Sequence, residues 1–242
     1  MESAAVILAF SLFIGGFAAL VVWSVRAERK RQGEMTAIAN ANGWRYEHQQ
    51  RSGKRAARFT YMPDGPAPDG AEQHWQLQVS RRRSGGKGRS SHPGSSEFCA
   101  PSPTFQNGLV VVMPEMGKGI AGAAASMLGF FDNKIGRALM AKALGPEIGE
   151  HLGQLQAFDP PEDLRVMVLA TADPALWFDL GAIARGIHAW NPKTGSDRSA
   201  PMVVIDSSGL RLRLNYEIPE PALVERFIAL GRQVQREAAP HR

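Results

Sequence analysis

The chain has 242 residues, of which 44% are hydrophobic and 21% charged, with a net charge of +5 and a single cysteine. That length and mix suit one substantial domain or two small ones, and they exclude a disordered or low-complexity chain. One thiol, Cys99, also excludes an intramolecular disulfide framework.

Residues 4–25, AAVILAFSLFIGGFAALVVWSV, are 22 positions without a charge. As a helix they would cover about 33 Å, enough for a bilayer's hydrocarbon core. Trp23, near the end of the run, suits an interface. A cleaved signal peptide would need a basic start and a small-residue cleavage site, but the sequence opens Met-Glu-Ser and no such site follows. The run therefore reads as a transmembrane anchor over residues 1–25. Arg26, Arg29, Lys30 and Arg31 follow it directly. By the positive-inside rule this flank leaves the N-terminus outside and the remainder in the cytoplasm. Gly15-Gly16 lies inside the run, but no G-x-x-x-G accompanies it to argue for dimerisation.

A basic juxtamembrane helix or linker is expected over residues 26–42, closed by Asn42-Gly43 as a C-cap pair. The segments WRYEH, ARFTYM, HWQLQVS, EFCA and LVVVM then read as short strands with turn-rich connections, hence a mainly antiparallel sheet. Residues 118–144 read as helical, and residues 147–156 as a further turn or two of helix. LRVMVLAT is a strand, Asp173 an N-cap with Pro174 behind it, and residues 175–190 a helix. MVVID and LRLRLNY form a hairpin in which Leu210, Leu212, Leu214 and Tyr216 share one face and Arg211 and Arg213 the other. Leu223, Phe227, Leu230 and Val234 recur at helical spacing in a closing helix. The fold class that emerges is α+β: one N-terminal transmembrane helix, then a mainly antiparallel sheet with helices packed on it. The cytoplasmic domain covers residues 43–242, with 43–115 and 116–242 as candidate subdomains.

The basic flank, GWRY, LVVVMP, AFDPPEDLRVMVLATADPALWF and VVIDSSGLRLRL follow one another in an order with a counterpart elsewhere. It resembles a group of uncharacterised bacterial single-span, membrane-anchored proteins with a cytoplasmic α+β domain. The resemblance implies this architecture and an inner-membrane location, and it transfers no active site.

Motifs for chemistry are weak. Gly117, Gly119 and Gly122 are spaced G-x-G-x-x-G, but Pro114, Glu115 and Met116 separate them from the strand, so a dinucleotide site is not expected. Ser84–Lys87 and Lys193–Gly195 match fragments of the penicillin-recognising serine enzymes, yet glycines lie between the serine and lysine where a helix is required. The six histidines, His48, His74, His92, His151, His188 and His241, are scattered, so no metal is expected. His188 and Trp190 read as packing and capping residues, and Cys99 as a small buried hydrophobe. Glu147, Glu150, Asp159, Glu162 and Asp163 cluster around Pro160-Pro161, which reads as a solvated acidic loop. No catalytic or cofactor-binding residue is nominated, and no cofactor is expected.

The feature selected is a basic loop, Arg81, Arg82, Arg83, Lys87 and Arg89, which would meet an anionic surface beside the anchor. It has no aromatic residue among its cations, so nucleic acid is not an expected partner. Residues 119–131, free of charge, read as a core helix with membrane contact as the alternative. The partners expected are the lipid bilayer and either anionic lipid or a protein. The functional expectation is a membrane-anchored cytoplasmic binding or scaffold module. The alternative is a hydrolase-type enzyme whose site is assembled from residues distant in sequence.

Overall fold

The structure is a computed structural model that describes residues 2–50, 56–64, 74–82, 94–101, 108–114, 151–160, 166–190, 200–218 and 220–237. Helix α1 runs without interruption from Glu2–Ala41, 40 residues. It stops because Gly43 adopts φ +67°, a left-handed C-cap, while the Asn42 amide turns back to the Ile38 carbonyl at 3.1 Å. Side chains in α1 are described from Gly15 onward, apart from Ala18. Among the described residues no helix is long and apolar enough to cross a membrane. The run expected as a span, residues 4–25, falls within α1.

Among the described residues nine strands follow: β1 (Trp44–Gln50), β2 (Ala56–Pro63), β3 (Gln76–Arg82), β4 (Ser95–Ala100), β5 (Val110–Pro114), β6 (Gln156–Phe158), β7 (Val166–Ala170), β8 (Met202–Asp206) and β9 (Gly209–Leu214). They form one sheet of order β1-β2-β3-β4-β9-β8-β5-β7-β6, and every pairing is antiparallel. The register threads a single apolar row through all of them: Tyr46, Tyr61, Leu77, Phe98, Leu212, Val203, Val112, Val168 and Phe158. Alternation at period two puts this row on one face, so burying it fixes the register of every strand.

Helix α2 (Leu180–Ala189) and helix α3 (Pro221–Glu237) cover that face, with α3 against β4 and β9. In α3, Val224, Phe227, Ile228, Leu230, Gly231 and Val234 are buried. At Gly231 α3 lies close against the sheet, since a Cβ there would be 2.5 Å from the Phe98 ring. The second half of α1 lies along β1 and touches α3, burying Met35 and Ala39 in the same core.

The opposite face is divided. On β5, β7 and β8, Val111, Met113, Met167, Leu169 and Val204 are buried there too. On β1 to β4 and β9 it carries polar residues, among them Arg45, Glu47, Gln78, Glu97, Arg211 and Arg213. Cys99 lies on this polar face, half-buried and opposite Arg211, rather than among the core hydrophobes expected for it.

Several expectations shift. Residues 26–41, expected as a juxtamembrane helix or linker, are helical as the continuation of α1, and their docking on the domain is what the sequence did not show. The two subdomains share one sheet, because β9 pairs with β4 and β8 with β5. Residues 152–158 form a 3-10 turn and strand β6 where more helix was expected. Asp173 does cap, accepting from the Ala175 amide at 3.0 Å, but it caps a 3-10 turn over Pro174–Leu176. Helix α2 begins later, capped by Asp179, which accepts from the Ala182 amide at 2.9 Å.

Candidate functional site

Helix α1 and β1 run in opposite directions, so one end of the sheet lies beneath the point where α1 meets the domain. Gln50, Ala56, Arg82, Ser95 and Leu214 are the strand termini at this near end. Trp44, Pro63, Gln76, Ala100 and Leu210 mark the far end. The span from Glu28 to Asn42, about 21 Å as helix, matches the roughly 20 Å of β1.

At the near end, four charged side chains join three parts of the chain. Arg81 of β3 donates from Nε to both oxygens of Glu217 at 2.9 and 3.0 Å, and from Nη1 to Glu28 of α1 at 2.7 Å. Arg31 of α1 donates to Glu217 at 2.6 Å, with a longer contact to the Ile218 carbonyl at 3.4 Å. The side chains are 19–33% exposed, so water screens these pairs less than it screens surface pairs. The Arg81 guanidinium also lies 5.7 Å from the Phe59 ring centroid.

Glu217 sits outside any helix or strand, and a buried serine fixes it. Ser96, fully buried in β4, donates to the Tyr216 carbonyl at 2.9 Å and accepts from the Ile218 amide at 3.0 Å. One hydroxyl thus holds the backbone on both sides of Glu217.

Burial opposes charge throughout this network. For Arg81 burial is outweighed by hydrogen bonds and Coulomb attraction from Glu28 and Glu217, so its charge is held more firmly than usual. Burial raises the Glu217 carboxyl above its ordinary value; Arg81 pulls it back, while Glu28 adds to the rise. The two directions disagree about how much the pair favours ionisation. With two donors, Arg31 Nη2 and Arg81 Nε, making three contacts at 2.6–3.0 Å, the geometry is that of a charged Glu217.

Behind the network a shallow cleft between α1 and the sheet is lined by Gln32, Met35, Tyr46, Phe59 and Tyr61 among others. It encloses about 10 Å³, room for about one water. Among the described residues the buried Tyr46 hydroxyl has no hydrogen-bond partner. Burial, with Glu28 adding, pushes its pKa up to about 12.

The residues singled out from sequence separate here. Arg81 and Arg82 belong to β3, and Arg81 is engaged in the ion pairs rather than displayed in a loop. Arg83, Lys87 and Arg89 lie outside the described residues, as do Gly117, Gly119, Gly122, residues 119–131, Ser84–Lys87 and Lys193–Gly195. Of the basic flank, Arg26, Arg29 and Lys30 are exposed on α1, whereas Arg31 is turned inward to Glu217. His48, His74 and His188 are exposed, and Asp159 is exposed on the chain after β6. Glu147, Glu150, Glu162 and Asp163 fall outside the described residues. Trp190 is buried and closes α2, its indole donating to the Tyr216 hydroxyl at 3.3 Å. Among the described residues no group of three His, Cys, Asp or Glu is placed to hold a metal ion.

Sequence reasoning missed Glu28, Ser96 and Glu217. Glu28 carried one signal, as the single acid inside the basic run RAERKRQ. The class of structure is thus a helix ion-paired to the near end of a nine-stranded antiparallel sheet. Comparison with protein-family models, curated proteins and solved structures finds no match.

Proposed function

We propose that this chain is a membrane-anchored binding or scaffold module, in which α1 spans the bilayer and the α+β domain is held at its cytoplasmic face. One observation carries the reading. Phe17, Leu20, Val21, Val22, Trp23 and Val25 are all exposed, Trp23 at 70% and Leu20 at 65%. At about 100° per residue these six side chains point to every side of the helix. A helical segment that exposes apolar side chains on every side gains cover from lipid. Read from sequence, the uncharged run of 22 residues would cover about 33 Å as a helix. Arg26, Arg29 and Lys30 at its end favour the cytoplasmic side for the domain.

Binding is favoured over catalysis by what the described surface offers: a cleft with room for about one water, and a broad polar sheet face. The partner would be a protein or the membrane surface itself.

Orientation is tested with protease added to sealed membrane vesicles carrying the full chain. Inside-out vesicles should lose the sheet domain and right-side-out vesicles should keep it. Digestion in right-side-out vesicles would overturn the reading.

A further inference from the structure

We propose that the near end of the sheet, together with the exposed cations of α1, is a docking surface for the anionic headgroups of the bilayer. This rests on reading α1 as a bilayer span, and it adds that the domain is seated on the leaflet rather than suspended away from it.

Distance is the first argument. Val25 ends the uncharged run, and Glu28, already ion-paired to Arg81, comes three residues later. Those residues advance α1 by about 4.5 Å. The headgroup layer of one leaflet is about 5–8 Å deep. Because α1 is continuous, tied to β3 through Glu28 and to the segment before α3 through Arg31, no slack separates the hydrocarbon boundary from the strand ends. The near end is therefore at headgroup depth.

Charge is the second argument. Arg26, Arg29 and Lys30 are exposed on α1, and Arg58 is exposed on β2 close to its near end. Of the acids beside them, Glu28 and Glu217 are already matched by Arg31 and Arg81, and Glu34 lies 3.9 Å from Lys30 as an exposed pair, which leaves Arg26, Arg29 and Arg58 outside these ion pairs. Asp64 follows β2 at the far end, and Asp206, ion-paired to Arg211, lies at that end of β8, while Glu97 lies two residues from the near terminus of β4. An anionic leaflet attracts Lys and Arg held within a Debye length of it.

The test uses the full chain with Cys99→Ala, reconstituted in phosphatidylcholine vesicles containing phosphatidylglycerol. A fluorophore is attached at Gln49→Cys, exposed at the near end of β1, or at Asp64→Cys at the far end. A headgroup quencher is carried on phosphatidylglycerol or on phosphatidylcholine, at equal mole fraction. The probe at position 49 should be quenched about twofold or more strongly by the anionic carrier than by the neutral one. That preference should vanish at about 1 M salt, and in the Arg26→Gln, Arg29→Gln, Lys30→Gln variant. The probe at position 64 should show no preference. Equal quenching by both carriers at position 49, in a chain that floats with the vesicles, would overturn the docking surface and leave the anchor standing. A chain that does not float with the vesicles would overturn both.

Discussion

Arg31 and Glu217 are 186 residues apart in sequence and 2.6 Å apart in the fold. Their contact ties the chain's first helix to the segment that leads into its last one. Arg81 completes the connection from β3, so helix, sheet and closing segment meet at one carboxylate. Removing Arg81 leaves Glu28 without its partner and Glu217 with Arg31 alone in a partly buried site. Arg81→Ala should therefore cost about 2–3 kcal/mol of stability, more than an exposed pair would. Denaturant unfolding of the full chain in detergent checks it. A loss within the range of ordinary surface substitutions would mean that the network does not hold α1 to the sheet.

Ser96→Ala removes one hydroxyl that both donates and accepts beside Glu217. It leaves the buried Ile218 amide without that acceptor, which should cost about 1–3 kcal/mol. Arg81→Ala and Ser96→Ala act on the same carboxylate, so the double variant should lose less than the sum of the two. Strict additivity would separate the serine from the network.

Little of this network could be read from the sequence. Its members are separated by 53, 136 and 186 positions, and its cations sit inside runs that look like solvated charge. The sheet was far more legible. Alternation in HWQLQVS and LRLRLNY gave away which side chains turn inward, because one buried face imposes a period of two. β6 escaped since it has three residues and buries none of them fully. The start of α2 escaped because Pro174 opens a 3-10 turn, and Asp179 supplies the cap that matters.

Gly231→Ala would normally strengthen a helix by up to about 1 kcal/mol. Here the new methyl would meet the Phe98 ring at 2.5 Å, across the contact between α3 and β4. Overpacking of this kind costs about 1–3 kcal/mol, so the net effect should be destabilising. A lower thermal midpoint for the variant confirms the close approach; a higher one contradicts it.

All three tyrosines of the chain are shifted upward. Burial raises Tyr46 to about 12, with Glu28 adding to it. Burial raises Tyr61 further, with Tyr46 contributing. Burial also raises Tyr216, although the hydrogen bond from Trp190 acts the other way. Each group has a folded value above its unfolded value of about 10, so its stabilising effect is complete below that pH and fades as pH rises beyond it. Absorbance at the tyrosinate band should stay low at pH 10 in the folded chain and rise there once the chain is unfolded. A half-titrated folded chain at pH 10 would contradict the packing around Tyr46 and Tyr61.

A domain held at the bilayer requires α1 to lie in lipid. The direct measurement is alkaline carbonate treatment of membranes that carry the full chain, followed by flotation in a density gradient. The chain should rise with the lipid, since the apolar circumference around Phe17, Leu20 and Trp23 is not released by charge or pH. Recovery in the soluble fraction at the bottom would contradict the anchor, and with it the reading of the domain as a module held at the bilayer.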